Sequence, residues 1–374
     1  MSKLLSQGGF GCVFYPGITC SGKSRKNDKI VTKIQVRDFN SDNESLIGEI
    51  IQTLPNYKLY FLPVVDSCKI DIRTVKSKDL MKCDIINNSV KESFVGMDLP
   101  YLDGENIVNA LTDKRAGFII RVISESYIYL LNAVELLKKV NVLHMDIKSA
   151  NIIYKKNSSS PRIIDFGISI PCDNLTNDNM KKYFYGFSPE YFVWALEIHV
   201  INYLLHETEN SLTKKDIDII SEAFVSSNAA LDLFSVEFVN KYLFKTKSYL
   251  KKYVNMPKET AIQKLLETRW SWDLYSLSIM YLRIIFALFS SKKENIFIKN
   301  IIGVLKTNIN PDFNDRIDVK KARENFYDIF YMDGDVNEFI ELKMIIEKTK
   351  NNNTKNLKKM LLESKSMNAQ TILN

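Results

Sequence analysis

The sequence predicts an α+β fold, with short strands before residue 100 and long helices after it. Three observations carry that expectation. First, Ile30-Val31-Thr32-Lys33-Ile34, Tyr60-Phe61-Leu62-Pro63-Val64-Val65 and the run from Ser93 to Leu99 are brief, rich in β-branched and aromatic residues, and flanked by turn formers. Second, Ile119, Ile123, Tyr127, Leu130, Leu131, Val134 and Leu137 recur at helical spacing, the inner face of a long core helix. Third, the run from Trp272 to Phe289 is apolar nearly all round, broken by Asp273 and Arg283. It is barely long enough to cross a bilayer and its charges are badly placed for one. A buried central helix is expected, and no transmembrane segment.

Composition supports a large globular core: 374 residues, 45% hydrophobic and 25% charged. Lys and Arg number 51 against 44 Asp and Glu, and the net charge of +7 is spread along the chain. That pattern describes a solvated surface rather than a nucleic-acid footprint, so no specific nucleic-acid partner is expected. The five cysteines, Cys12, Cys20, Cys68, Cys83 and Cys172, are odd in number and form no C-x-x-C pair. Neither a disulfide framework nor a zinc site is expected, and a reducing, cytoplasmic location fits. Met1-Ser2-Lys3-Leu4-Leu5 runs into glycines with no apolar h-region, so no signal peptide is expected.

The chemistry concentrates in His144-Met145-Asp146-Ile147-Lys148-Ser149-Ala150-Asn151 and, after a short apolar run, Asp165-Phe166-Gly167. Asp146 is suited to orient or deprotonate a hydroxyl, and Lys148 to offset developing negative charge. Asn151 and Asp165 offer hard oxygen ligands for magnesium. Near the N-terminus, Ser6-Gln7-Gly8-Gly9-Phe10-Gly11-Cys12-Val13-Phe14 reads as a glycine-rich hairpin whose backbone can approach phosphates closely. Strand alternation places Lys33 on the inner face with Val31, where an ammonium group needs an anionic partner. Glu44 and Glu49 are both available on the next helix. Glu44 is preferred, because Ile47, Ile50, Ile51 and Leu54 follow it as a buried stripe.

In order and spacing these segments resemble the protein kinase superfamily. The family's catalytic loop reads H-R-D-L-K-x-x-N, its metal loop D-F-G, and its nucleotide loop G-x-G-x-x-G-x-V. Here His144, Asp146, Lys148, Asn151, Asp165, Phe166 and Gly167 match, as do Gly8, Gly11 and Val13. Ser6 replaces the first loop glycine, and Met145 stands where arginine is usual. The resemblance implies a bilobal fold, with an N-lobe at 1–99, a C-lobe at 100–330 and a tail at 331–374. It also implies ATP and Mg2+ as cofactors, and serine or threonine hydroxyls of proteins as acceptors. Gly8, Gly9, Phe10, Gly11 and Val13 would cover the phosphates and Lys33 would grip them, with Glu44 as its partner. Backbone groups of Pro100, Tyr101 and Leu102 would hold adenine. Asn151 and Asp165 would bind metal. Asp146 would be the base, with Lys148 beside it, and His144 would be structural. Asp273 would brace the catalytic loop, and Ser278 stands where the family has glycine at that helix start. Lacking the arginine at Met145, the enzyme is expected to act without a phosphorylated activation segment.

The resemblance places the end of that segment at Ser188-Pro189-Glu190, with Gly186 and Phe187 as a substrate floor and Arg316 as partner of the closing glutamate. About eighty residues then separate Glu190 from Asp273. They imply a helical insertion at about 195–268 beside the substrate cleft. Residues 66–93 read as an irregular insertion. The Lys- and Asn-rich tail reads as a solvated, partly disordered end with a short amphipathic piece at Leu357, Met360 and Leu361. Within the superfamily, the Ile/Asn/Lys-rich composition and the large insertion resemble kinases of large nucleocytoplasmic DNA viruses, which would imply host cytoplasm or virion.

Three rival readings stand beside this one, the least favoured being a kinase of a small molecule or lipid, against which the Gly186 to Glu190 floor argues for protein. A pseudokinase would keep the fold as a binding module; it is usually marked by loss of Lys33, Asp146 or Asp165, all present here. A P-loop NTPase would use Gly17-Ile18-Thr19-Cys20-Ser21-Gly22-Lys23-Ser24, which fits G-x-x-x-x-G-K-[ST] letter for letter. Pro16 precedes that run and Arg25-Lys26-Asn27-Asp28, a poor helix with no apolar face, follows it. A polar hairpin loop is expected instead.

Overall fold

The computed structural model describes residues 1–367 except 27–28, 90–91, 113, 156–159, 209, 290–294 and 333–335. Asn27 and Asp28 of the P-loop-like stretch, and the tail's last seven residues, thus lie outside the described residues.

The N-terminal lobe is built on five antiparallel strands: β1 (Lys3–Gln7), β2 (Gly11–Tyr15), β3 (Ile30–Val36), β4 (Asp66–Ile70) and β5 (Phe94–Pro100), in the order β1-β2-β3-β5-β4. Lys33 pairs across to Val13 on β2 and Met97 on β5, so it sits in mid-sheet. Gly11 is dictated by closeness: a Cβ there would come within 2.6 Å of the Ile34 carbonyl oxygen. Helix α1 (Phe39–Gln52) starts at Asp38, whose carboxylate accepts from the Ser41 amide at 2.8 Å as an N-cap. The helix turns Glu44, Ile47 and Ile51 inward.

Two expectations in this lobe are corrected. The strand expected at 60–65 is instead an extended connector whose Phe61 bridges to Ile163 of the other lobe; Pro63 has no amide to give a ladder. The strand lies just beyond, at β4, inside the segment read as irregular, which also forms the short helix α2 (Asp84–Asn88). The second correction concerns cysteine. Cys12–Cys83 and Cys20–Cys68 are disulfide-bonded, with Cα atoms 6.0 and 5.9 Å apart. The partners are 71 and 48 residues apart and meet only because the sheet folds, so spacing along the chain carried no sign of them.

The P-loop-like stretch is a hairpin. Thr19 donates its amide to the Lys23 carbonyl at 2.8 Å, Ile18 bridges Ser24, and Gly22 takes φ +76°. Lys23 is exposed, and no helix begins at it.

The C-terminal lobe opens with β6 (Gly104–Asn106), α3 (Ile107–Leu111) and the long α4 (Ala116–Lys139). Short strands β7 (Val142–Leu143), β8 (Ile152–Lys155), β9 (Pro161–Ile163) and β10 (Ile170–Pro171) then frame two loops. Helices α5 (Met180–Tyr183), α6 (Leu196–His206), α7 (Lys214–Ser226), α8 (Val236–Leu250), α9 (Lys258–Leu266), α10 (Trp272–Phe289), α11 (Ile296–Asn308), α12 (Val319–Tyr327) and α13 (Val336–Ser366) complete it. The result is the expected bilobal, protein-kinase-like α+β architecture. Helices α4 and α10 are long and apolar enough to cross a membrane, yet both pack inside this lobe, α10 buried along nearly its whole length.

Two boundaries move. Helix α6 is buried from Leu196 through Leu205 and belongs to the core, so the extra helices are α7, α8 and α9. The tail, expected to be solvated, is largely one 31-residue helix laid along α10 and α4. Leu342, Ile345, Ile346, Asn353, Leu357, Met360, Leu361 and Ser364 form its buried stripe at helical spacing. The many Lys and Asn residues between them lower its mean hydropathy without breaking that period.

Candidate active site

Three elements of the two lobes meet at Lys33. Its Nζ lies 2.7 Å from Glu44 Oε2 on α1 and 3.1 Å from Asp165 Oδ1 on the loop between β9 and β10. Burial alone pushes the Lys33 ammonium down, but the carboxylates of Asp165 and Glu44 outweigh it and hold its pKa above the ordinary value. Burial raises Asp165, and the neighbouring Lys33 more than reverses that, leaving it lowered. Glu49, the other candidate partner, is exposed.

Asp165 takes φ +66°, the strained left-handed region, and is followed by Phe166, which is buried 4.8 Å from the His144 ring and 6.1 Å from Phe61. Packing of Phe166 therefore fixes the turn that presents Asp165 to the cleft. Gly167 leaves room there: a Cβ would lie 3.6 Å from both Asp165 Oδ1 and Glu44 Oε2 and 4.0 Å from the Phe10 ring. Phe10, at the tip of the glycine-rich hairpin closed by Gly8 N–H to Gly11 O at 2.9 Å, thus hangs over this turn. Tyr101 stacks on Tyr15 and donates its amide to the Lys29 carbonyl at 2.8 Å, while Pro100 has no amide. Neither has an N–H to offer a base, which leaves Leu102 of the three.

The catalytic-loop backbone is held from beneath. Asp273 at the start of α10 accepts from the His144 amide at 2.8 Å and the Met145 amide at 3.0 Å. Trp194 donates its ring N–H to the Met145 carbonyl at 2.8 Å, fixing Met145 at φ +67°. His144 is structural as expected: Nδ1 accepts from the Asp146 amide at 3.1 Å, which leaves Nε2 to donate to the Ile164 carbonyl at 3.2 Å.

The side chains above this floor are nearly sealed. Asp146 is 5% exposed, Lys148 8% and Asn151 6%. Asn151 Nδ2 donates to Asp146 Oδ2 at 2.8 Å and to its carbonyl at 3.0 Å. Lys148 Nζ lies 3.0 Å from Asp146 Oδ1, and the Tyr191 hydroxyl donates to that same oxygen. Burial raises the Asp146 pKa, and Lys148 and Tyr191 offset it only in part. Tyr191 is pushed well above its ordinary value by burial and by Asp146, so it stays protonated and a donor. Because Asn151 spends its amide nitrogen on Asp146, its oxygen is oriented away as a ligand. An amide oxygen and the Asp165 carboxylate are hard donors that fit Mg2+, which takes few protein ligands and completes its shell with phosphate and water. Among the described residues no group of three or more His, Cys, Asp or Glu could hold a metal ion.

Sequence reasoning missed four residues here. Tyr191 immediately follows the expected Pro189-Glu190 pair, and its hydroxyl role had no local signal. Ser364 accepts from the Ala150 amide at 3.1 Å, and the Met367 carbonyl accepts from Lys148 Nζ at 2.7 Å; both lie in the tail expected to be solvated and partly disordered. The fourth is a correction. Arg316 pairs not with Glu190, which is exposed, but with Glu197 at 3.0 Å. The segment therefore closes at Ala195-Leu196-Glu197, seven residues later.

Residues 69–198 match the family model of the protein kinase domain, a span that includes both the His144–Asn151 loop and Asp165-Phe166-Gly167. The dual specificity protein kinase zakA of Dictyostelium discoideum is 35% identical over 83 residues, 21% of this chain and 10% of the relative. The probable serine/threonine-protein kinase mkcE of the same organism is 32% identical over 102 residues, 26% of this chain and 13% of the relative. This chain thus spans only about a tenth of the length of these relatives. Among solved structures, the autoinhibited serine kinase domain of the giant muscle protein titin aligns over 93% of this chain and 87% of that one, at 15% identity and a TM-score of 0.42. These similarities to protein kinases each cover well under half of this chain.

Proposed function

We propose that the chain is a serine/threonine protein kinase that transfers the γ-phosphate of ATP to protein hydroxyls. The observation that carries this reading is the meeting of buried Lys33 and Glu44 with the half-buried Asp165, residues 11 and 132 positions from Lys33, in one ion cluster between the lobes. Phosphoryl transfer needs positioned charge more than covalent chemistry, and this cluster supplies it. In the reading proposed, Lys33 holds the nucleotide phosphates and Glu44 fixes Lys33. Bound Mg2+, held by Asp165 and the Asn151 oxygen, would neutralise phosphate charge. Asp146 orients the acceptor hydroxyl and takes its proton. Lys148 neutralises the transferred group, and a lysine there is what favours serine and threonine acceptors.

The test is Asp146→Asn assayed with Mg2+ and ATP on a basic acceptor protein. Turnover should fall by about 10²–10⁴ while nucleotide affinity stays nearly constant. An equal loss of nucleotide affinity would refute the role given to Asp146. One observation favours the pseudokinase reading as second: the Tyr191 hydroxyl and the Met367 carbonyl occupy Asp146 and Lys148. Protein that binds nucleotide yet labels no acceptor even after the Met367 contact to Lys148 is broken would decide for it.

A further inference from the structure

The nucleotide side and the acceptor side of this site are in different states. Lys33, Glu44 and Asp165 are already joined as phosphate binding requires. On the acceptor side, every N–H of Lys148 is committed: to Asp146 Oδ1 at 3.0 Å, to the Tyr191 hydroxyl at 3.0 Å and to the Met367 carbonyl at 2.7 Å. An ammonium group has three donors, so none remains for a transferred phosphoryl oxygen. An acceptor hydroxyl must also come within about 2.6–3.2 Å of Asp146, where the Tyr191 hydroxyl now sits.

The last turn of α13 maintains this closure. Met360, Leu361 and Ser364 are buried, and Ser364 is bonded to the Ala150 amide of the catalytic loop. In the same turn, Glu363 forms an ion pair with Arg283 of α10. The Arg283 guanidinium lies 5.0 Å from the centre of the Phe192 ring, next in sequence to Tyr191. The helix end thus touches both halves of the closure: Lys148 directly, and the Tyr191 segment through Arg283 and Phe192. Contacts of this kind are few and lie at a helix terminus, the part of a helix that opens most readily.

We propose that the C-terminal turn of α13, ending at Met367, is an autoinhibitory strap that keeps the acceptor side shut on an otherwise assembled site, and that it must come off Lys148 before phosphoryl transfer. This inference rests on the kinase reading above. The test uses the full chain and reads two quantities: amide hydrogen exchange of residues 357–367, and labelling of a basic acceptor protein from Mg2+ and ATP. Glu363→Arg places two cations together, and the charge swap Glu363→Arg with Arg283→Glu restores an opposite pair. Glu363→Arg should speed exchange across 357–367 and raise labelling by about tenfold, as expected if the closed state dominates by that factor. The swap should bring back slow exchange and low labelling. Faster exchange with unchanged or lower labelling in an active enzyme overturns the strap and leaves the kinase reading intact. Faster exchange with no labelling in any variant overturns both. If exchange in Glu363→Arg stays as slow as in the wild type, the ion pair does not hold the helix end and the strap is likewise refuted.

Discussion

Arg316 and Glu197 form an ion pair 3.0 Å apart with both side chains essentially sealed from solvent, at 1% and 0% exposure. Ser271 and the Asn310 carbonyl take further guanidinium protons at 3.0 and 2.6 Å. The pair fastens the start of α6, and so the end of the segment carrying Tyr191, to the loop before α12. A buried charge left without its partner is costly, so Arg316→Ala should destabilise the fold by about 3–5 kcal/mol. Glu190→Ala, at an exposed position, should change stability by less than about 0.5 kcal/mol. Urea unfolding of the two variants separates them, and similar effects at both sites would return the closing role to Glu190.

The misplacement of that glutamate shows what local reading can reach. Lys33, Asp146, Asn151 and Asp165 stand out in the sequence by motif spacing, and the structure brings Lys33 within 3.1 Å of Asp165 and Asn151 within 2.8 Å of Asp146. Glu197 does not, because Ala195-Leu196-Glu197 lacks the proline that Ser188-Pro189-Glu190 has, and only the position of Arg316 in space singles it out. Ser364 and Met367 are invisible for the same reason, because their contacts exist only once α13 crosses the His144–Asn151 loop, and Tyr191 because its contact to Asp146 spans 45 residues of chain. The buried stripe of α13 shows in the sequence at Leu357, Met360 and Leu361, and the Asn and Lys residues between its earlier members mask the rest of its period.

The two disulfides make stability depend on redox conditions. Cys12–Cys83 ties the strand after the glycine-rich turn to the helix-bearing segment before β5, and Cys20–Cys68 ties the neighbouring hairpin to β4. Closing loops of 71 and 48 residues removes enough chain entropy to be worth about 4 kcal/mol each. Adding dithiothreitol should therefore lower the unfolding midpoint, and Cys83→Ser should reproduce part of the loss and reduce the further response to reductant. A midpoint indifferent to dithiothreitol would show that these bonds do not form in solution.

Lys23 and Lys33 offer a direct contest between two nucleotide motifs. The Lys23 backbone closes a hairpin and its side chain is exposed, whereas Lys33 is buried between two carboxylates. Lys23→Ala should leave nucleotide affinity and phosphoryl transfer within about twofold of wild type, the range of a surface change. Lys33→Ala should lower transfer by about 10²-fold or more, because it removes a preorganised charge from the phosphates. The reverse ranking, read by nucleotide titration and acceptor labelling, would reinstate the P-loop.

His199 gives the fold a pH dependence of defined sign. It lies in α6 among the rings of Phe187, Trp194 and Phe224, and burial pushes its pKa down to about 3 from the ordinary 6.5. The folded state therefore holds the ring neutral between those values while the unfolded chain takes up a proton. Its contribution is fully present above pH 6.5 and is lost as pH falls towards about 3. Between pH 6.5 and 5 the loss should be on the order of 2 kcal/mol. His199→Phe keeps an aromatic ring in the cluster but has no proton to gain. Urea unfolding of both proteins at pH 7, 6 and 5 should show wild type losing ground to the variant as pH falls. Parallel profiles would mean that the ring is protonated, or reached by solvent, in the folded protein.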